Sequence, residues 1–239
     1  LERMPPPRAT SRSAARSQNP ASLLEAQRVD AVLRKESLVP FEAEGVHDGV
    51  HCFFHAALDA LRQAGYNPGQ DMQKLRKDVK IWLRENFTAL LNGRYSSTIR
   101  MWLNEHPDIK HMVQTAGRRA DNNKISQDQW NQHCNRYALN GYTGTQRPLP
   151  GDEITCIAVA DLFKCDLHVH QGTGSQHFPP LNGASRAKVH LAYYCAEGWQ
   201  HYRSTRHIQV LSPPSSPAGP SASRRTTGSP TPTTPRSPT

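Results

Sequence analysis

The sequence predicts an α+β domain between unstructured ends, and three observations carry that reading. Apolar residues recur at helical spacing through the first two thirds of the chain. After Arg147-Pro148-Leu149-Pro150-Gly151 there is one compact helix, and then short alternating segments rich in valine and aromatic residues. Both ends are dominated by Pro, Ser, Thr and Arg, and residues 212–239 contain no Leu, Ile, Val, Phe, Trp or Tyr. Such segments bury too little apolar surface to offset the entropy of ordering. Residues 1–20 and 212–239 are therefore expected to be disordered linker and tail, with the folded domain over 21–211. Helices followed by strands argue for a small, mostly antiparallel sheet packed against helices rather than a doubly wound parallel one.

Ser22 and Glu25 stand at capping-box spacing, which predicts a first helix over 22–35. Leu38-Val39-Pro40-Phe41 reads as a short extended piece. His47-Asp48-Gly49 is a turn, followed by a helix from Cys52 to Ala64 that Gly65 stops. From Asp71 to Gly93, Met72, Leu75, Val79, Trp82, Leu83, Phe87 and Leu90 form one stripe, predicting a single long helix. Shorter helices are expected over 96–106, stopped by Pro107, and over 126–139, where Trp130, Cys134 and Tyr137 share a face. Residues 152–164 form a compact helix, 165–171 an alternating strand, and 187–195 with 199–211 an antiparallel pair about Glu197-Gly198. Trp82, Trp102 and Trp130 are expected to anchor the core. There is no internal repeat, and no apolar stretch long enough to predict a membrane span.

The net charge is +9, but the two ends supply +6 of it, leaving +3 for the domain. A basic groove with specific affinity for nucleic acid is not expected. The five cysteines, Cys52, Cys134, Cys156, Cys165 and Cys195, are odd in number and form no CxxC pair. That pattern fits free thiols in a reducing compartment, the cytoplasm.

Cys52 stands at the first turn of a helix, where the helix dipole and unpaired amide protons favour thiolate over thiol. The Asp48-Gly49 turn ahead of it brings further N–H groups near, able to hold the oxyanion of an acyl intermediate. A general base must come from elsewhere, and His201, at the start of the last strand, is the candidate. His47, His51 and His55 do not make a zinc site, because only His51 and His55 share helical register; no metal or other cofactor is expected. His168 and His170 share one strand face, read as a solvated edge. Cys134, Cys156, Cys165 and Cys195 read as packing residues. Ser-Pro and Thr-Pro pairs between 212 and 238 are possible sites of proline-directed phosphorylation.

Three segments, read in order, resemble the ovarian-tumour (OTU) family of cysteine proteases. Asp48-Gly49-Val50-His51-Cys52-Phe53-Phe54 is similar to that family's nucleophile motif. Gly151-Asp152-Glu153 with the helix and strand that follow is similar to its second motif, and His201-Tyr202-Arg203-Ser204 to its closing strand. Together they span roughly residues 47–205. The resemblance implies an OTU-like fold, with Cys52 as nucleophile, His201 as general base and the Asp48 loop shaping the oxyanion hole. Gly49 and Trp199 would lie against the substrate. It implies hydrolysis of isopeptide bonds after the C-terminal glycine of ubiquitin or a ubiquitin-like protein, by a monomeric domain embedded in a larger protein. Two departures stand out: Val50-His51 gives the turn one residue more than the family motif, and Arg203 occupies the place where the family often has Asp or Asn to orient the imidazole. Two alternatives stay open, a protease that processes its own polyprotein and a catalytically dead OTU-like module that binds ubiquitin.

Overall fold

The computed structural model describes residues 20–41, 50–66, 71–105, 125–139, 141, 146, 148–196 and 199–208. Seven α-helices and five strands lie among them: α1 (Pro20–Lys35), β1 (Leu38–Phe41), α2 (Cys52–Gln63), α3 (Met72–Glu85), α4 (Phe87–Asn92), α5 (Ser96–Glu105), α6 (Gln127–Asn135), α7 (Glu153–Phe163), β2 (Asp166–Gln171), β3 (Gly174–Phe178), β4 (Lys188–Ala196) and β5 (Trp199–His207). The strands form one sheet in the order β1-β5-β4-β2-β3. Only β2 and β4 run parallel; the other three pairings are antiparallel. The α+β class and the mostly antiparallel sheet are as expected. No helix among the described residues is long and apolar enough to cross a membrane.

The two sheet faces are covered differently. On one face α2 packs on β4 and β5, while α7 packs on β2 and β3. Helix α7 is apolar on nearly every side, with Ile154 and the run from Cys156 to Ala160 all buried, so it can only be an interior helix. The opposite face is covered by α1, which contacts β1, β2, β3 and β4 and contributes Val29 and Leu33 to a smaller cluster with Leu38, Ala192 and Tyr194.

Helix α2 ends as the sequence requires. Gly65 adopts φ +82°, its N–H donates to the Arg62 carbonyl and that of Tyr66 to the Leu61 carbonyl, the two bonds of a Schellman motif. Lys164 closes α7 the same way in a left-handed conformation, with the Cys165 N–H on the Ala160 carbonyl.

Several expectations need correction. Helix α1 begins at Pro20, whose missing N–H is no loss at a first helical position, so Ser22 lies inside the first turn rather than at the N-cap. The stripe from Asp71 to Gly93 is two helices, because Asn86 leaves helical geometry and its side-chain Nδ2 joins its backbone N–H in donating to the Trp82 carbonyl. Strand β3 was not expected, since Gly-Ser-Gln-His-Phe has little strand propensity; pairing along the free side of β2 imposes it. His168 and His170 are buried rather than solvated, because β2 is interior to the sheet and α1 covers that face. Cys195 is exposed, whereas Cys134, Cys156 and Cys165 are buried packing residues as expected. Trp82, Trp102 and Trp130 are all buried, and Trp130 stacks on Phe87 with ring centroids 4.8 Å apart. The Ser/Thr-Pro pairs lie outside the described residues.

Candidate active site

Cys52 is the first residue of α2 and only 2 % exposed, with His51 in the N-cap position and the His55 N–H closing the first turn onto the His51 carbonyl. The chain turns into α2 here because the buried side chains Phe53, Phe54, Ala56, Ala57, Ala60 and Leu61 form a wide apolar stripe that packs on the sheet. The thiol is thereby fixed at the positive end of a twelve-residue helix.

Its partner on the sheet follows from strand geometry. Amide directions alternate along a strand, and the Ile208 N–H donates to the Ser37 carbonyl beside β1. Residues 206, 204 and 202 therefore also direct their N–H groups to the β1 side. But β1 ends at Phe41, opposite Ser204. Tyr202 is the first such residue beyond that end, and its N–H donates to Cys52 Sγ at 3.5 Å. The sulfur occupies the place where a longer β1 would have put a carbonyl.

His201 directly precedes that amide, lies opposite Tyr194 on β4, and is 8 % exposed. The structure thus brings Cys52 against the His201-Tyr202 peptide across 150 residues of sequence. The pleat points Tyr202 to the α2 face, where its ring meets Phe53 at 5.1 Å and Tyr193 at 4.5 Å. His201 and Arg203 point to the α1 face, the side of the sheet opposite Tyr202. Arg203 places its guanidinium 5.2 Å from the Tyr194 ring centre, and the Tyr194 hydroxyl donates to Asp30 of α1 at 3.5 Å.

The second motif packs directly behind the first. Asp152 caps α7 by accepting the Thr155 N–H at 3.0 Å, and it also accepts the Tyr137 hydroxyl at 2.6 Å. Gly151 lies so close over Phe53 that a Cβ there would come within 2.1 Å of the ring. Beside them a cavity of about 470 Å³ opens between Trp102, Gly151, Cys156, Phe178, Tyr193 and Tyr202. It adjoins the thiol through Tyr202, whose backbone holds the sulfur and whose ring lines the cavity wall.

The other cysteines are poor rivals as nucleophiles. Burial pushes the Cys134 and Cys165 thiols up to about 12 and raises Cys156 well above its ordinary value, so all three stay protonated. Cys195 lies near the end of β4, on a strand rather than in the first turn of a helix. Asp48 and Gly49 lie outside the described residues. Trp199 begins β5, and its side chain is likewise outside them. Among the described residues no group of three or more His, Cys, Asp or Glu is placed to hold a metal ion.

One residue at the site escaped the sequence reading. Arg76 of α3 is completely buried, its guanidinium 4.3 Å from the Phe54 ring centre, donating to the Val50 carbonyl at 3.3 Å and the Leu149 carbonyl at 2.8 Å. Its signal was positional: it follows Leu75 and precedes Val79 by three, inside the buried stripe of α3.

No protein-family model matches the chain, and no curated protein matches its sequence. Among solved structures, the OTU domain of OTUD1 is similar, at 10 % identity and a TM-score of 0.46, over 78 % of this chain and 97 % of that one.

Proposed function

We propose that the chain is an OTU-like thiol protease that hydrolyses isopeptide bonds at the C-terminus of ubiquitin or a ubiquitin-like protein. The observation that carries this reading is the Cys52 sulfur at a helix N-terminus, seated on the amide next to His201. Two sequence motifs far apart in the chain thus meet at one atom. Cys52 gives its proton to His201, and the thiolate attacks the glycine carbonyl carbon. Backbone N–H groups of the turn ahead of Cys52, with Asp48 shaping that turn, hold the oxyanion. The lysine amine leaves with the proton from His201. Water, deprotonated by His201, then hydrolyses the thioester and restores the thiol. Gly49 and Trp199 line the path of the substrate tail. Arg203 cannot accept the imidazole N–H bond that an Asp or Asn would take, so in this reading Cys52 and His201 act as a dyad.

The almost complete burial of the sulfur and the presence of Arg203 favour a second reading, a module that binds ubiquitin without cleaving it. A ubiquitin probe with a thiol-reactive C-terminus separates the two. Covalent capture of the parent chain, lost in Cys52→Ala and His201→Ala, supports the protease. Ubiquitin binding without capture supports the binding module, and neither capture nor binding defeats both readings.

A further inference from the structure

The turn before Cys52 is one residue longer than the family motif it resembles, and the extra length falls at Val50-His51. A longer turn has more conformations open to it, so whatever fixes it also fixes the approach to the thiol. The Val50 carbonyl is the acceptor that Arg76 takes at 3.3 Å. In a trans peptide the carbonyl and the next N–H point in opposite directions, so holding the Val50 oxygen turns the His51 N–H away from the guanidinium. The same guanidinium holds the Leu149 carbonyl at 2.8 Å, three residues ahead of the Asp152 cap of α7.

A completely buried arginine is an expensive way to fill space, since removing the charge from water costs several kcal/mol before any pairing. A leucine or methionine would pack against Phe54 without that cost. What the planar fork adds is two donors at fixed spacing, one for each of the two loops.

We propose that Arg76 is a positioning residue for the cleavage reaction, tying the turn ahead of Cys52 to the loop ahead of α7 so that the oxyanion-binding amides are set before substrate arrives. It acts through backbone and touches neither substrate nor thiol. This rests on the protease reading above.

The test compares the parent with Arg76→Lys, which keeps a cation but not the fork, Arg76→Met, which keeps volume alone, and Phe54→Leu, which removes the ring and leaves both hydrogen bonds. Each is followed by its rate of capture at saturating ubiquitin probe, its half-saturating probe concentration, and alkylation of Cys52 by iodoacetamide, which needs no oxyanion hole. The expected result is capture slowed at least tenfold in Arg76→Lys and Arg76→Met, with half-saturation and alkylation within about threefold of the parent. Phe54→Leu should be captured at close to the parent rate. If Arg76→Met does not fold, Arg76→Lys carries the comparison; if neither folds, Arg76→Gln, whose single amide donor group cannot span both carbonyls, takes their place, with slowed capture at normal alkylation supporting the fork's role and parental capture overturning it. Capture of folded Arg76 variants at the parent rate overturns the proposal, as does slowed capture matched by equally altered alkylation, which marks a general loosening. A parent that is not captured fails the protease reading itself, and the positioning role with it.

Discussion

On the α2 side of the sheet, β4 and β5 present Val189, Leu191, Tyr193 and Tyr202 to a continuous apolar core that also holds Cys52, Phe53 and Cys156. On the α1 side, the same sheet presents His168, His170, His177, His190 and His207. These rings form one chain of contacts: His168 and His177 have centroids 4.0 Å apart, His168 and His190 4.9 Å, His170 and His190 5.3 Å, and His190 and His207 6.3 Å. His170 and His190 share a hydrogen bond between ring nitrogens at 3.0 Å. The period of two in β2, β4 and β5 thus separates a dry face, where geometry is fixed by packing and one buried arginine, from a face whose stability depends on protonation. Cys52 lies at the seam, at the edge of β5 where the two faces meet.

The comparison is broken most strongly at the seam. In the protease reading, Cys52→Ala removes capture by the ubiquitin probe entirely. Its effect on stability is expected to be at most about 1 kcal/mol, because the change removes one small side-chain atom and a weak sulfur hydrogen bond from Tyr202. Urea unfolding beside the capture assay checks both halves.

A second test addresses the apolar face. Gly151→Ala forces a methyl group into the Phe53 ring, and overpacking of this kind costs about 1–3 kcal/mol. A lowered urea midpoint with an unchanged slope is the expected outcome. Restoration by the double variant Gly151→Ala, Phe53→Leu would assign the loss to that contact.

The histidine face is tested by pH. Burial holds His170 and His190 down at about 4 from the ordinary 6.5. Between those values the unfolded chain binds more protons than the folded one, so stability falls as pH is lowered from about 6.5 towards 4, by up to about 1.4 kcal/mol per pH unit for each histidine. Below about 4 both states are protonated and the slope from these groups vanishes. His170→Gln and His190→Gln should each flatten the profile, and a profile unchanged in the double variant would show that the cluster is not its source.

The smallest effect is expected where α2 meets the far end of β5. Arg206 donates to both carboxylate oxygens of Asp59, at 2.7 and 3.1 Å, and Ser204 also donates to that carboxylate. The pair is partly exposed, so Asp59→Asn should lower stability by no more than about 1 kcal/mol, less at high salt.

What the sequence discloses divides along the same line. Helices α2 and α7 and strands β2, β4 and β5 were legible because their periodicity and stop residues act locally. So was the pairing of Cys52 with the His201 strand, through motif order. The sharing of a face by His168 and His170 was legible too, but not its burial, because that depends on α1, which folds over from more than a hundred residues away. Arg76 was hidden for a related reason: a charge on an amphipathic helix normally faces water, and the carbonyls that make it tolerable belong to Val50 and Leu149, 26 and 73 residues distant. Strand β3 and the break at Asn86 reflect tertiary pairing and a single side-chain hydrogen bond overriding local pattern.

The early end of β1 has one last consequence. A thiol sulfur is a weaker acceptor than a carbonyl, so the Tyr202 amide is held less firmly than those of Ser204 and Arg206. Hydrogen exchange should find it opening ahead of those of Ser204 and Arg206. In the protease reading, an extended substrate chain that laid a carbonyl on this amide would release the sulfur in the same movement, so that docking on β5 and freeing of the nucleophile would become a single event.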